Sequence, residues 1–84
     1  MEKEIKNLVE SKIKDLEVNV IEGVVHIDFD DIGNLWSEVF EETFGREYDD
    51  VKGSNEDYDN FEKIQDISME LISKGGIVEV ELDY

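Results

Sequence analysis

Carboxylates are the side chains best able to do chemistry in this sequence, where 24 Asp and Glu residues accompany 8 Lys and Arg. They are concentrated in residues 28–66, which hold fourteen acids and three bases. The densest stretch is FGREYDDVKGSNEDYDNFEK, residues 44–63, in which two tyrosines lie among seven acids. Carboxylates at this density can bind a cation, exchange protons with a substrate, or bind a basic protein.

A calcium loop is the first kind of cation site to consider. The segment DFDDIGNLWSEV, residues 28–39, places Asp28, Asp30 and Gly33 at the first, third and sixth positions of an EF-hand loop. Its fifth and twelfth positions hold apolar side chains in place of the required oxygen ligands. The sequence therefore predicts no specific metal site and no cofactor, only loose binding of divalent cations by the acidic surface.

Catalytic arrangements find little support. The chain has no Cys and a single histidine, His26, which strand alternation places on an outer face. A thiolate nucleophile is thus excluded, a Ser-His-Asp arrangement would depend on His26, and no glycine-rich phosphate loop is present. Paired carboxylates of the glycosidase kind would arise by chance among so many acids, and a small chain leaves little room for a substrate cleft. We expect a protein that is not an enzyme.

The overall charge restricts the choice of partners. The net charge is −16 and the sequence pI is near 4.1, whereas small domains typically carry a magnitude of about 2–8. Such a surface repels nucleic acid and anionic membranes and attracts basic proteins. No apolar run approaches the ~20 residues of a membrane span, and the lack of cysteine fits a reducing compartment. A cytoplasmic location is expected.

Apolar residues at helical spacing predict the elements that must position these acids. The first amphipathic helix covers about residues 2–15 and has balanced charges. The second begins at Asp30 or Asp31, either of which can cap it, and ends at Gly45. Its apolar positions recur at i, i+3, i+4, i+7 and i+8, which is the clearest helical pattern in the chain.

A third helix follows residues 46–53, a connection that is short for a flexible linker. Ser54 and Asp57 have the spacing of a capping box, and acids in the first turn suit the positive end of the helix dipole. Lys74 and the following glycine pair end this helix. The acidic stretch is therefore predicted to form a tight turn between two helices.

Alternating apolar residues predict three strands, two of them in a hairpin around Glu22-Gly23 and the third in IVEVELDY at residues 77–84. The side chains expected to point inward are Leu16, Val18, Val20, Val25, Ile27, Phe29, Val78, Val80 and Leu82. The expected fold is one α+β domain, residues 1–84, with the order α-β-β-α-α-β. Its three-stranded antiparallel sheet has helices packed on the apolar face.

Excess charge on ordered elements favours a binding surface over a merely solvated one. Glu38, Glu41 and Glu42 place like charges one helical turn apart, which weakens a helix, and only Glu42 has a base at i+4, Arg46. The predicted partner-binding residues are Glu47, Asp49, Asp50, Glu56, Asp57 and Asp59, with Tyr48 and Tyr58 as anchors and the three helical glutamates as a second patch. Carboxylates a helical turn apart stand ~5–6 Å from one another, a spacing on the scale of DNA phosphates, so they can occupy a site built for nucleic acid.

The run from LWSEVFEETF through REYDD to FEKIQDI resembles part of a small phage-encoded anti-CRISPR family, the type II-A Cas9 inhibitors that mimic PAM DNA. The resemblance covers about residues 30–67. It implies that the acidic connection occupies the pocket where arginines of Cas9 read the PAM guanines. Carried over by position, Glu47, Tyr48, Asp49 and Asp50 form the matching segment, with Asp57 and Asp59 near it.

The predicted function is therefore that of an acidic inhibitor that mimics nucleic acid and blocks a nucleic-acid-handling protein. An anti-CRISPR or related phage anti-defence protein is the leading hypothesis. The expected partner is a basic nucleic-acid-binding protein such as a CRISPR effector or another nuclease, with no direct binding to nucleic acid or membrane. The alternatives are an immunity protein or antitoxin for a nuclease toxin, a cation-binding module, and an acidic domain whose charge serves solubility alone.

Overall fold

A computed structural model describes residues 2–84 of the chain. It contains three helices and three strands in the predicted order α-β-β-α-α-β. The elements are α1 (Glu2–Ile13), β1 (Asn19–Ile21), β2 (Val24–Asp28), α2 (Phe29–Phe44), α3 (Asn55–Ile72) and β3 (Glu79–Asp83). The small α+β architecture expected from the sequence is confirmed.

The start of α2 differs from the prediction. The helix is capped by Asp28, whose carboxylate accepts a hydrogen bond from the backbone N–H of Asp30 at 2.8 Å. Phe29 is therefore the first residue of α2 and does not continue the strand. Asp28 is the last residue of β2 and satisfies one of the free N–H groups of the next helix, so strand and helix join with no loop between them.

The sheet is mixed, which corrects the expectation of a fully antiparallel one. Its order is β1-β2-β3, with β1 antiparallel to β2 as the hairpin predicted. β3 runs parallel to β2, pairing Val24 with Glu79 and Asp28 with Asp83. Residues 29–78 separate the two strands, and a connection of this length can return the chain to the end of the sheet where β2 began. Side-chain alternation is the same in either direction, so the sequence pattern could not distinguish them.

The inward face of β1 is also less buried than predicted. Val18 and Val20 are 44% and 65% exposed, because β1 is a three-residue edge strand whose main neighbour is β2. In β3 the alternation holds, with Val80 and Leu82 half-buried and the acids between them exposed.

The hydrophobic core lies between the three helices and the inner face of β2. α1 contributes Ile5 and Val9, β2 contributes Ile27 and α3 contributes Ile64. α2 supplies the largest number of buried side chains: Ile32, Leu35, Trp36, Val39 and Phe40. The helices therefore pack on the apolar side of the sheet, as predicted. The same packing fixes the directions of α2 and α3, and with them the turn that joins their ends.

No helix among residues 2–84 is both long enough and apolar enough to cross a membrane.

Candidate protein interface at the acidic corner

The acidic corner is defined here as residues 46–59, the connection between α2 and α3 together with the first five residues of α3. It begins where Gly45 ends α2 in the left-handed conformation, with φ of 75°. The Gly45 N–H donates to the carbonyl of Glu41 at 2.8 Å. A positive φ is inexpensive for glycine, so the chain can leave the helix abruptly at this residue, as the sequence predicted.

An ion pair closes the corner. The guanidinium of Arg46 donates two hydrogen bonds to the carboxylate of Asp57, one from Nη2 and one from Nε, the latter at 3.3 Å. The Asp57 side chain is only 11% exposed. Arg46 also lies over the ring of Phe40, 5.8 Å from its centroid. A forked, two-point contact of this kind holds the end of α2 against the start of α3.

Tyr48 covers the edge of the core inside the corner. Its ring stacks on Phe61 with centroids 4.0 Å apart and meets Phe40 edge-on at 5.3 Å. Burial raises the pKa of the Tyr48 phenol, and the charge of Asp50 raises it further. The phenol is therefore uncharged near neutral pH. Its ring contacts anchor the connection to α2 and α3.

Asp49 organises the middle of the connection as an Asx turn. Its carboxylate accepts hydrogen bonds from the backbone N–H groups of Val51 and Lys52, at 2.9 and 3.0 Å. Its carbonyl accepts from the N–H of Gly53 at 2.8 Å. The bond from Lys52, followed by that from Val51, lowers the pKa of Asp49 because both favour the charged carboxylate.

The start of α3 completes the corner. Ser54 caps the helix, its hydroxyl accepting from the N–H of Asp57 at 3.1 Å, as the sequence predicted. Glu56 and Asp59 follow in the first turns and are exposed. Acids here are favourable for the helix dipole, which is one structural reason for them. That reason does not extend to Glu47 and Asp50, which lie outside the helices.

The structure separates the predicted binding residues into two groups. Those with exposed side chains are Glu47, Asp49, Asp50, Glu56, Tyr58 and Asp59. Asp57 is buried against Arg46, and Tyr48 is half-buried against Phe61. Asp57, predicted as a partner-binding residue, is thus already paired with Arg46 inside the corner and is 8% exposed.

The second patch, Glu38, Glu41 and Glu42, is exposed on α2 but partly neutralised. The ammonium of Lys12 in α1 lies 3.2 Å from Glu38 and 2.8 Å from Glu42. The hydrogen bond to Glu42 raises the pKa of Lys12, and the hydrogen bond to Glu38 raises it by a smaller amount. Glu42 thus pairs with a base from another helix and not with Arg46 at i+4, which is occupied by Asp57.

Sequence reasoning missed the roles of Arg46 and Lys12, since both depend on how helices pack. A signal for Arg46 was available, because it is one of only three bases among residues 28–66 and directly follows the glycine that ends α2. A single base at the end of one helix, followed by an acid in the capping box of the next, is a candidate for an ion pair that joins the two helices. Lys12 offered no comparable signal in α1, where bases are frequent.

Comparison of the chain with family models, with curated proteins and with solved structures returns no match.

Proposed function

We propose that this protein is an acidic inhibitor that occupies the nucleic-acid-binding site of a basic protein through the acidic corner. The observation that carries the proposal is the combination of exposed charge with a fixed backbone. Glu47, Asp49, Asp50, Glu56 and Asp59 are exposed, while the Gly45 cap, the Asx turn, the Ser54 cap and the Arg46–Asp57 pair hold the chain beneath them.

A rigid array of carboxylates suits a protein site that binds phosphates. Ordering a flexible segment on binding costs free energy, and a corner already fixed by hydrogen bonds avoids most of that cost. Opposite net charges also steer the two proteins together and make association fast at low salt. The exposed Tyr58, 58% accessible, adds an aromatic surface beside the acids.

We propose an anti-CRISPR or related phage anti-defence role as the biological setting, with a CRISPR effector as the target. The support is the sequence resemblance over residues 30–67 together with the exposure of Glu47, Asp49 and Asp50 within it. An immunity protein or antitoxin would use the same electrostatics against a nuclease toxin, so the identity of the partner decides between these roles.

The first test is competition. The immobilised protein is exposed to a purified type II-A Cas9–guide complex and, in parallel, to a host lysate at ~0.15 M salt. Bound proteins are then eluted with duplex DNA or with ~0.5 M salt, which screens exposed charges strongly. We expect binding to a nucleic-acid-handling protein that added DNA displaces. Failure to bind any such protein, or binding that DNA leaves intact, would contradict mimicry.

The second test locates the surface. Reversing Glu47, Asp50, Glu56 and Asp59, all exposed, to Lys should abolish binding. Circular dichroism checks that the variant is folded, because the reversals near the start of α3 also weaken the favourable interaction with the helix dipole. Asp57 is left unchanged because it pairs with Arg46, and Asp49 because it forms the turn. The control reverses four exposed acids elsewhere, Glu10, Asp15, Asp66 and Glu79.

Both variants carry the same change in net charge, from −16 to −8, since each reversal adds two charge units. A corner-specific partner should bind the control with a modest loss and the corner variant not at all. Equal losses in the two variants would mean that total charge, and not the corner, determines binding.

A further inference from the structure

The outer face of the sheet brings together three metal-ligating side chains that lie outside the acidic corner. His26 occupies the middle of β2, and the parallel register pairs it with Glu81 and pairs Asp28 with Asp83. His26, Glu81 and Asp83 all point to the face away from the core, because Ile27 and Leu82 between them point inward. The parallel pairing therefore creates a cluster that the sequence order conceals.

The distances within the cluster fit one small cation. His26 Nδ1 lies 3.2 and 3.3 Å from the two carboxylate oxygens of Asp83 and 3.8 Å from Glu81 Oε2. One ligand atom from each residue lies within 4.8 Å of the others. Two ligands bound at ~2.0–2.1 Å to a tetrahedral zinc ion stand about 3.3 Å apart, which is close to the separations of His26 Nδ1 from the oxygens of Asp83 and Glu81.

The partial burial of His26 distinguishes this cluster from a group of exposed acids alone. The His26 side chain is only 19% exposed, and its position is set by its place in the central strand of the sheet. Glu81 and Asp83 are 63% and 53% exposed, so an ion can enter and keep a water ligand. Glu17, Asp28 and Asp31 line the same depression and add negative charge around it.

We propose that His26, Glu81 and Asp83 form a binding site for a divalent transition-metal ion of the zinc class. An imidazole nitrogen with two carboxylate oxygens suits Zn²⁺, whereas Ca²⁺ and Mg²⁺ prefer ligand sets made of oxygen alone. The ion would join β3 to β2 across their outer face, in place of the direct contact between His26 and Asp83. Three protein ligands leave a fourth position open to water.

The test uses the whole chain and zinc itself. Calorimetric titration with Zn²⁺ at neutral pH, in ~0.15 M NaCl and excess Mg²⁺ to occupy the general acidic surface, should show one site per chain. Because His26 is the only histidine, its imidazole NMR signals report binding without ambiguity. Co²⁺ should give the visible absorption of a four-coordinate ion and be displaced by Zn²⁺.

Matched variants assign the ligands. His26→Gln should weaken zinc binding by about tenfold or more, and so should the double change Glu81→Gln with Asp83→Asn. The reason is that mutation of a residue that only supports a metal ligand already lowers metal affinity about 10–100-fold. Glu79→Gln, on the same face of the same strand, should leave it unchanged. Thermal unfolding without metal shows whether each variant is folded before titration.

Unperturbed His26 signals at saturating Zn²⁺, or equal affinity in His26→Gln and wild-type protein, would overturn the proposal. The contact between His26 and Asp83 would then be only a link between strands. The result is independent of the inhibitor function. The His26 cluster lies near the first residue of α2, and the acidic corner follows the last residue of α2. A 16-residue helix is ~24 Å long at 1.5 Å per residue, so the two sites are well separated.

Discussion

Ser68 is a fully buried polar residue whose hydroxyl joins two helices. It accepts a hydrogen bond from Trp36 Nε1 at 2.6 Å and donates one to the carbonyl of Gln65 at 2.8 Å. The largest aromatic side chain of the core is thereby tied to α3 at a specific point. A buried indole N–H without a partner would bear the full cost of its lost hydration.

Replacing Ser68 with Ala should therefore lower the free energy of unfolding by about 1–3 kcal/mol, because it leaves the Trp36 N–H unsatisfied. Urea denaturation followed by Trp36 fluorescence measures the change, as this is the only tryptophan. Ser37→Ala in α2 is the matched control, since Ser37 is exposed on a helix. A loss no larger than that of the control would contradict this role.

Asp49 provides a pH-dependent test of the corner. Its folded pKa is lowered by the backbone bonds from Lys52 and Val51, so its contribution is present above the unfolded pKa and is lost as pH falls through the folded pKa. The stability difference between wild type and Asp49→Asn should shrink as the pH falls from 6 toward the acid range. Carboxyl NMR should place the Asp49 midpoint below 3.8. A difference that stays constant with pH would contradict the charged turn.

The connection between α2 and α3 depends on a close backbone approach. A Cβ atom added to Gly53 would clash with the carbonyl oxygen of Asp49, to which the Gly53 N–H donates. Backbone cannot give way as a flexible side-chain end can. The corner therefore requires glycine here for reasons of space.

Gly53→Ala should lower the free energy of unfolding by about 1–3 kcal/mol, the range found for overpacked sites. Gly33→Ala in α2, where an added Cβ meets nothing within 4 Å, should instead raise it by about 0.8–1 kcal/mol through helix propensity. Thermal and urea unfolding compare the two. Equal effects of the same sign would contradict the close approach at Gly53.

Elements whose signals are local were predictable from sequence. Gly45 and Ser54 end and begin helices through hydrogen bonds within a few residues, and both predictions are confirmed. The direction of β3 and the burial of Asp57 were not predictable, because each depends on contacts that form only when the helices pack. The same holds for the cluster at His26, which exists only in the parallel register.

Repulsion among the acids of the chain opposes its folding. With 24 acids and 8 bases, most acids have no base to pair with, even though Lys12 and Arg46 form ion pairs. Salt screens attraction between opposite charges and repulsion between like charges. Because repulsion predominates at this net charge, added salt should stabilise the folded state.

The midpoint of thermal unfolding should therefore rise as NaCl increases from ~0.02 to ~0.5 M, a range over which the screening length falls severalfold. Neutralising Glu47, Asp50, Glu56 and Asp59 to their amides should reduce that dependence. Circular dichroism measures both. A midpoint that falls with salt would mean that the ion pairs at Lys12 and Arg46 outweigh the repulsion.

The parallel pairing of β2 with β3 has a consequence for how the chain folds. It joins residues 55 positions apart, from Val24 to Glu79, whereas the hairpin and helices form from near neighbours. Closing so long a loop costs entropy before any pairing repays it, and such contacts slow folding. β3 should dock last, onto a helical layer that is already assembled. Until β3 docks, one edge of β2 is unpaired, and an unpaired strand edge can associate with other chains.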